Sequence, residues 1–153
     1  MNKVNSSVLI LGFALLASCK SGINSQTKST SASENLLEKR YKMLLDYPVD
    51  SMSMPRSMTI KTNLIKKVPS RDWTSGFFAG NLWQLYRLTG NEAYKNQAEK
   101  WTPFSKKESV NSNSHDVGFK VFCSFGEALK VENKQEYAAV IIKGAETKRK
   151  RCN

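Results

Sequence analysis

Asp72-Trp73-Thr74-Ser75-Gly76-Phe77-Phe78 opens a stretch that continues through Leu82, Trp83, Leu85, Tyr86 and Leu88. A second Gly-Phe pair stands 42 residues on, inside His115-Asp116-Val117-Gly118-Phe119. At the same offset Asn91 aligns with Asn133, and Tyr94 falls within one residue of Tyr137. A repeat of this length suits a pair of helices with their turns, and such units stack because none buries its apolar face alone. Trp73 occupies in the first copy the place that His115 occupies in the second. The repeat therefore reads as a scaffold with different chemistry mounted at equivalent helix starts.

Outward from that stretch the pattern stays helical. Residues 72–89 are apolar on more than one face, as expected of a helix buried on most sides, and Gly90 supplies a left-handed end cap. Residues 92–104, with Tyr94, Ala98 and Trp101 on one side, predict a more polar outer helix. Residues 105–114 read as a polar loop. Residues 116–131 repeat the buried pattern and 135–146 the outer one. Upstream, Leu36, Leu37, Tyr41, Leu44 and Leu45 predict an amphipathic helix over 34–47, ended by Pro48. Residues 48–71 read as irregular, with Pro55 and Pro69 as breakers and a short strand within 60–68 as one option. The expected fold class is all-α, alternating inner and outer helices with little or no sheet. Trp83 and Trp101 read as packing residues, Asp72 as a helix cap and Cys123 as a small buried hydrophobe.

The chain has 153 residues, 40% hydrophobic and 24% charged, which is ordinary for one globular domain. Its net charge of +11 is not ordinary; residues 143–153 carry +4 of it and the rest +7. A basic rim raises the local concentration of an anionic ligand, although a solvated basic surface explains the charge equally well. No cysteine spacing suggests a disulfide framework or a metal site, and no cofactor is expected.

The N-terminus reads as an address. Val8 to Ala17 is apolar but too short to span a bilayer. Leu16-Ala17-Ser18-Cys19 follows as a lipobox, so residues 1–18 read as a lipoprotein signal peptide with Cys19 the lipidated residue. An ordinary cleaved signal with Cys19 incidental is the alternative. Residues 19–33, rich in Ser, Thr and Lys, read as a flexible tether. The expectation is an exported, membrane-anchored protein, in the periplasm or at the cell surface. That argues against reading Lys148-Arg149-Lys150-Arg151 as a nucleic-acid patch, so no nucleic-acid partner is expected.

Met54-Pro55-Arg56-Ser57, Ser70-Arg71-Asp72-Trp73-Thr74-Ser75-Gly76-Phe77-Phe78, Gly80-Asn81-Leu82-Trp83, His115-Asp116-Val117-Gly118-Phe119 and Phe122-Cys123-Ser124-Phe125-Gly126 occur in this order between about Glu34 and Thr147. Taken together they resemble the unsaturated glucuronyl hydrolases, glycoside hydrolase family 88. The resemblance implies an (α/α)6 toroid with the active site where the inner helices begin, in line with the repeat. It also implies a substrate: the 4,5-unsaturated uronic acid that polysaccharide lyases leave at the non-reducing end of an oligosaccharide. In that chemistry a carboxyl protonates C4, water adds at C5, and the hemiketal rearranges to release the next sugar. This differs from displacement at the anomeric carbon but still needs a general acid/base and a second carboxylate.

By the same resemblance Asp116 matches one of two essential aspartates; a helix cap is the alternative for that residue. Trp73 matches a tryptophan lining the sugar site, where an indole stacks on the apolar face of a pyranose; a core tryptophan is the alternative. His115, the sole histidine, matches a position at the substrate rim, though a lone histidine is as often structural. Neighbours on a helix do not face each other, so His115 and Asp116 are not a dyad.

The family's other aspartate, its proton donor, lies further along than this sequence reaches. The chain covers about two of six hairpins, with 34–147 as toroid and 148–153 as an aberrant basic tail. A truncation or frameshift near Thr147 is expected, along with no turnover by the chain on its own. Inner helices left without a neighbour predict poor solubility. A non-enzymatic helical-repeat lipoprotein that binds glycan or peptide is the competing reading. Its usual period of roughly 34 residues falls short of 42. A carbohydrate-binding remnant that keeps Trp73 and His115 but not catalysis is a third.

Overall fold

The computed structural model describes residues 23–152, with backbone alone for 23–31 and 151–152. The proposed signal peptide, Cys19 and Asn153 lie outside the described residues. Among those described, no helix is long and apolar enough to cross a membrane. In order the elements are α1 (Ile23–Tyr41) with a 3-10 turn (Lys42–Leu44), β1 (Met54–Thr59), β2 (Leu64–Val68), α2 (Phe77–Thr89) and α3 (Glu92–Trp101). A 3-10 segment (Thr102–Val110) follows, then α4 (Val117–Val121), a π-helical stretch (Phe122–Gly126), α5 (Glu127–Glu132) and α6 (Gln135–Cys152).

The core forms where α2 meets α3. Leu82, Trp83, Tyr94 and Ala98 are fully buried, and the Phe78 and Trp101 rings meet edge to face at 4.9 Å. Trp83 satisfies its indole by donating to Thr102 Oγ1 at 2.8 Å, as a buried tryptophan must. Gly90 ends α2 at φ 68°, and the Asn91 side chain starts α3 by accepting from the Ala93 amide. Trp83 and Trp101 are thus packing residues, as the sequence implied.

Two glycines bring the repeated units together. A Cβ on Gly76 would lie 2.3 Å from the Lys120 carbonyl oxygen, and one on Gly80 only 2.1 Å from that of Cys123. So α2 lies backbone to backbone against α4 and the π-helical stretch, and the two repeated helix starts stand side by side.

The second inner helix is not continuous. The π-helical stretch between α4 and α5 accommodates one extra residue, which is how such a bulge arises inside an α-helix. The Ser124 hydroxyl lies within hydrogen-bond reach of the Lys120 and Val121 carbonyl oxygens and of Ser105 Oγ. The left-handed end caps, Gly90 and Asn133, are consequently 43 apart, as are Tyr94 and Tyr137, whereas the starts are 42 apart. The alignment of Asn91 with Asn133 is a coincidence of side-chain type: one begins α3 and the other ends α5.

Several expectations need correction. Residues 54–68 form an antiparallel hairpin, with Asn63 at φ 54° in its turn. Only Met54, Pro55 and Val68 at its base are buried, so the sequence carries no two-residue alternation to signal it. Helix α1 already covers Ile23, the first described residue, and so includes much of the stretch read as a tether; no Gly or Pro interrupts it from there on, and Ala, Lys, Gln and Glu favour helix. Helix α2 begins at Phe77 rather than Asp72, since Asp72 locks a local turn by accepting from the Thr74 amide and hydroxyl. Residues 102–110 are 3-10 helical, with Pro103 in the first turn, instead of a loop from 105. Helix α6 runs through the tail to Cys152, because Lys and Arg are good helix formers and favoured near a C-terminus. Cys123 is half-buried rather than buried; burial, then the nearby Glu127 carboxylate, raises its thiol pKa.

Candidate active site

The turns before α2 and α4 meet because Gly76 lets their helices touch. The first carries Trp73. It is 45% exposed, so the core reading of this residue fails. Its ring stands edge-on to Phe77 at 5.9 Å and to Phe119 at 6.0 Å. Phe119, the repeat partner of Phe77, is itself exposed. Three aromatic rings at the helix starts thus form an apolar platform open to solvent, a surface that can bind a sugar face.

The second turn carries His115 and Asp116. Asp116 occupies the N-terminal cap position of α4, yet its side chain makes no capping hydrogen bond. Its own amide donates to Ser114 Oγ at 3.2 Å. Asp116 thus holds the cap position the sequence allowed, but its carboxylate is not spent on capping α4. His115 is exposed, with Nδ1 at 3.4 Å from the Lys148 ammonium. Through Lys148 its ring meets α6.

Beneath both turns lies a residue that the sequence reading missed. Lys120 is fully buried. Its ammonium donates to the Arg71 carbonyl at 3.2 Å, to Glu108 Oε2 at 3.1 Å and to Ser114 Oγ at 2.7 Å. Three donors meet three acceptors, and two of those acceptors sit in the turns that present Trp73 and Asp116. Glu108 also accepts from Ser70 at 2.8 Å and from Asn111 at 2.8 Å. Burial pushes the Glu108 carboxyl up, but the bonds from Asn111, Ser70 and Lys120 outweigh it and hold the group below the usual glutamate value. A lysine between Val117 and Val121 on an otherwise apolar face was the available signal. A lone charge there demands a buried partner.

Asp72 is a brace rather than a helix cap. Its Oδ1 holds Thr74, and its Oδ2 accepts from Arg56 Nη1 at 3.2 Å. Burial raises its pKa, but the Thr74 bonds and the charges of Arg56 and Lys66 bring it below the ordinary value. The Arg56 guanidinium carbon lies 5.8 Å from the Trp73 ring centre. Beside them opens a largely apolar cavity of about 370 Å³, lined by Met58, Trp73, Phe77, Asn81 and both Arg40 and Arg56. Among the described residues no cluster of His, Cys, Asp or Glu could hold a metal ion.

No family model matches the chain. It is 44% identical over 156 residues to an unsaturated glucuronyl hydrolase of Formosa agariphila, covering 96% of this chain and 38% of that relative. It is 27% identical over 112 residues to an unsaturated chondroitin disaccharide hydrolase of Streptococcus pneumoniae, covering 71% and 27% of the two. Among solved structures it resembles an unsaturated glucuronyl hydrolase specific for heparin, with a TM-score of 0.66 and 28% identity over 83% of this chain and 33% of that one. The expected resemblance thus holds in sequence and in structure, and the helical fold is part of an α/α toroid. The chain spans less than two fifths of the length of these relatives.

Proposed function

We propose that this chain is part of an unsaturated glucuronyl hydrolase, which removes the 4,5-unsaturated uronic acid from the non-reducing end of lyase-generated oligosaccharides by hydrating its double bond. The observation that carries the reading is the exposed Trp73 platform at the start of one inner helix, beside a second start whose Asp116 carboxylate is not used as a cap. In this reading the indole takes the sugar face and Asp116 serves the reacting carbons. His115 lines the rim, where its contact with Lys148 adds a cation beside an anionic ligand. In this reading the proton donor is supplied from outside residues 34–147. Export and anchoring to a membrane through lipid on Cys19 complete the proposal, supported by the lipobox alone.

The test is a chimera in which residues 34–147 replace the matching segment of the Formosa agariphila relative. It should consume the ultraviolet absorbance of an unsaturated uronyl disaccharide, while the unextended chain, assayed beside it, should not. Asp116→Asn in the chimera should lower turnover by about 10²–10⁴-fold, the usual contribution of a positioned acid or base. An Asp116→Asn chimera within twofold of its parent would refute the role given to this carboxylate.

A further inference from the structure

Four observations converge on Arg56, which the hydration chemistry above does not use. It sits at the register shift between Pro55 and Ser57, the single irregularity in the hairpin ladder. A bulge of this kind re-aims a side chain out of the strand pattern. Asp72 holds one arm of the guanidinium at 3.2 Å and is itself fixed by Thr74. The group stands 5.8 Å from the centre of the half-exposed Trp73 ring. Among the described residues its remaining N–H groups have no acceptor. A cation over an indole is worth only about 0.5–1 kcal/mol when exposed, which does not by itself call for a bulge and a braced aspartate. The arrangement suits a ligand that presents an apolar ring face and an anionic group together, since a guanidinium fork takes carboxylate or sulfate in two parallel bonds.

We propose that Arg56 is the specificity-determining residue of the Trp73 platform: it binds the anionic substituent of a pyranose that stacks there. The inference rests on the sugar-binding reading of Trp73 and adds to it the side chain that reads the charge of the bound sugar. Lysine in its place would keep the charge but lose the planar fork, and Asp72 is the positioning residue that aims it.

Isothermal titration of the full 153-residue chain tests this with three disaccharides: one with the carboxylate only, one with the carboxylate reduced to an alcohol, and that alcohol bearing a sulfate. The wild type should bind an anionic sugar at least about tenfold tighter than the neutral one, a difference of about 1.4 kcal/mol. The favoured arm identifies carboxylate or sulfate as the group recognised. Arg56→Ala should erase the preference without weakening the neutral sugar, and Arg56→Lys should restore part of it. A preference that survives Arg56→Ala overturns the proposal, as does equal weakening of neutral and anionic sugars, which marks a structural role. Equal affinity for all three in the wild type overturns the role of Arg56 and spares the Trp73 platform. No binding by the wild type overturns both.

Discussion

The same substitution at two equivalent positions of the repeat should have opposite effects. Gly76 and Gly118 are 42 residues apart and open corresponding helices. At Gly76 an added Cβ would meet the Lys120 oxygen at 2.3 Å, the Phe119 oxygen at 2.6 Å and the Lys120 carbonyl carbon at 2.8 Å. At Gly118 it would meet nothing within 4 Å. A carbon sits ordinarily at about 3.3 Å or more from a carbonyl oxygen, so Gly76→Ala must part the two backbones by about 1 Å. None of the three atoms is a side chain that can swing away. The movement is resisted from the other end as well, because the Lys120 ammonium ties α4 to Arg71, on the turn that leads into Gly76. Overpacking of this kind costs about 1–3 kcal/mol, and with alanine also the poorer cap we expect a loss of about 3 kcal/mol. Gly118→Ala should instead gain up to about 1 kcal/mol, the helix preference of alanine over glycine. In a chain of this size each kcal/mol moves the melting point by about 2–4 °C. The pair should therefore separate by roughly 8–16 °C in thermal unfolding followed by circular dichroism, run at low protein concentration. A Gly76→Ala melting point within 2 °C of wild type would refute the backbone contact from which the site geometry follows.

The buried Lys120–Glu108 pair yields two further expectations. Lys120→Met should destabilise by about 3–5 kcal/mol, because it leaves the Glu108 carboxylate buried without its cation; Lys120→Met with Glu108→Leu should recover most of that loss in a double-mutant cycle by urea unfolding. Glu108 is held below its ordinary value of 4.5 in the folded chain, so the folded state binds its proton less readily than the unfolded one. The stability it confers is complete above that value and is lost as pH falls through the lower folded value. Glu108→Gln should flatten the acid limb of a stability-against-pH curve measured from pH 6 downward, and an unchanged limb would show that the pair contributes nothing there.

The parts of the fold that are legible in the sequence are those that bury surface on more than one side. Phe78, Leu82, Trp83 and Leu85 are buried along α2 at helical spacing, and Gly90 at φ 68° stops it where the composition implies. The hairpin is not legible for the opposite reason. Its tip residues Ile60 and Leu64 are 86% and 68% exposed, so apolar side chains there mark no buried face. Trp73 and Asp116 stand out by their place in the repeat; what only the structure adds is that the ring is exposed and that the carboxylate makes no cap bond. Lys120 escapes a sequence reading because a single cation on an apolar helix becomes meaningful only once Arg71, Glu108 and Ser114 are known to surround it, and those lie up to 49 residues away.

The drift of the repeat from 42 residues between the Gly-Phe pairs to 43 between Tyr94 and Tyr137 has a physical cause. An inner helix that must begin beside its neighbour and also end in register with it has one residue too many if it stays α-helical. The π-helical stretch at Phe122–Gly126 absorbs that residue, with the Ser124 hydroxyl turned back toward the Lys120 and Val121 carbonyl oxygens. The glycine code completes the logic. In the first copy Gly76 and Gly80 admit the backbone of the second; in the second copy Gly118 faces open space, on a groove of about 280 Å³ shared with Val117, Val121, Phe122 and Gly144. If each unit receives the next through its opening glycine, that groove is where a third unit would lie. Phe122, exposed on that groove, is the apolar side chain such a unit would cover.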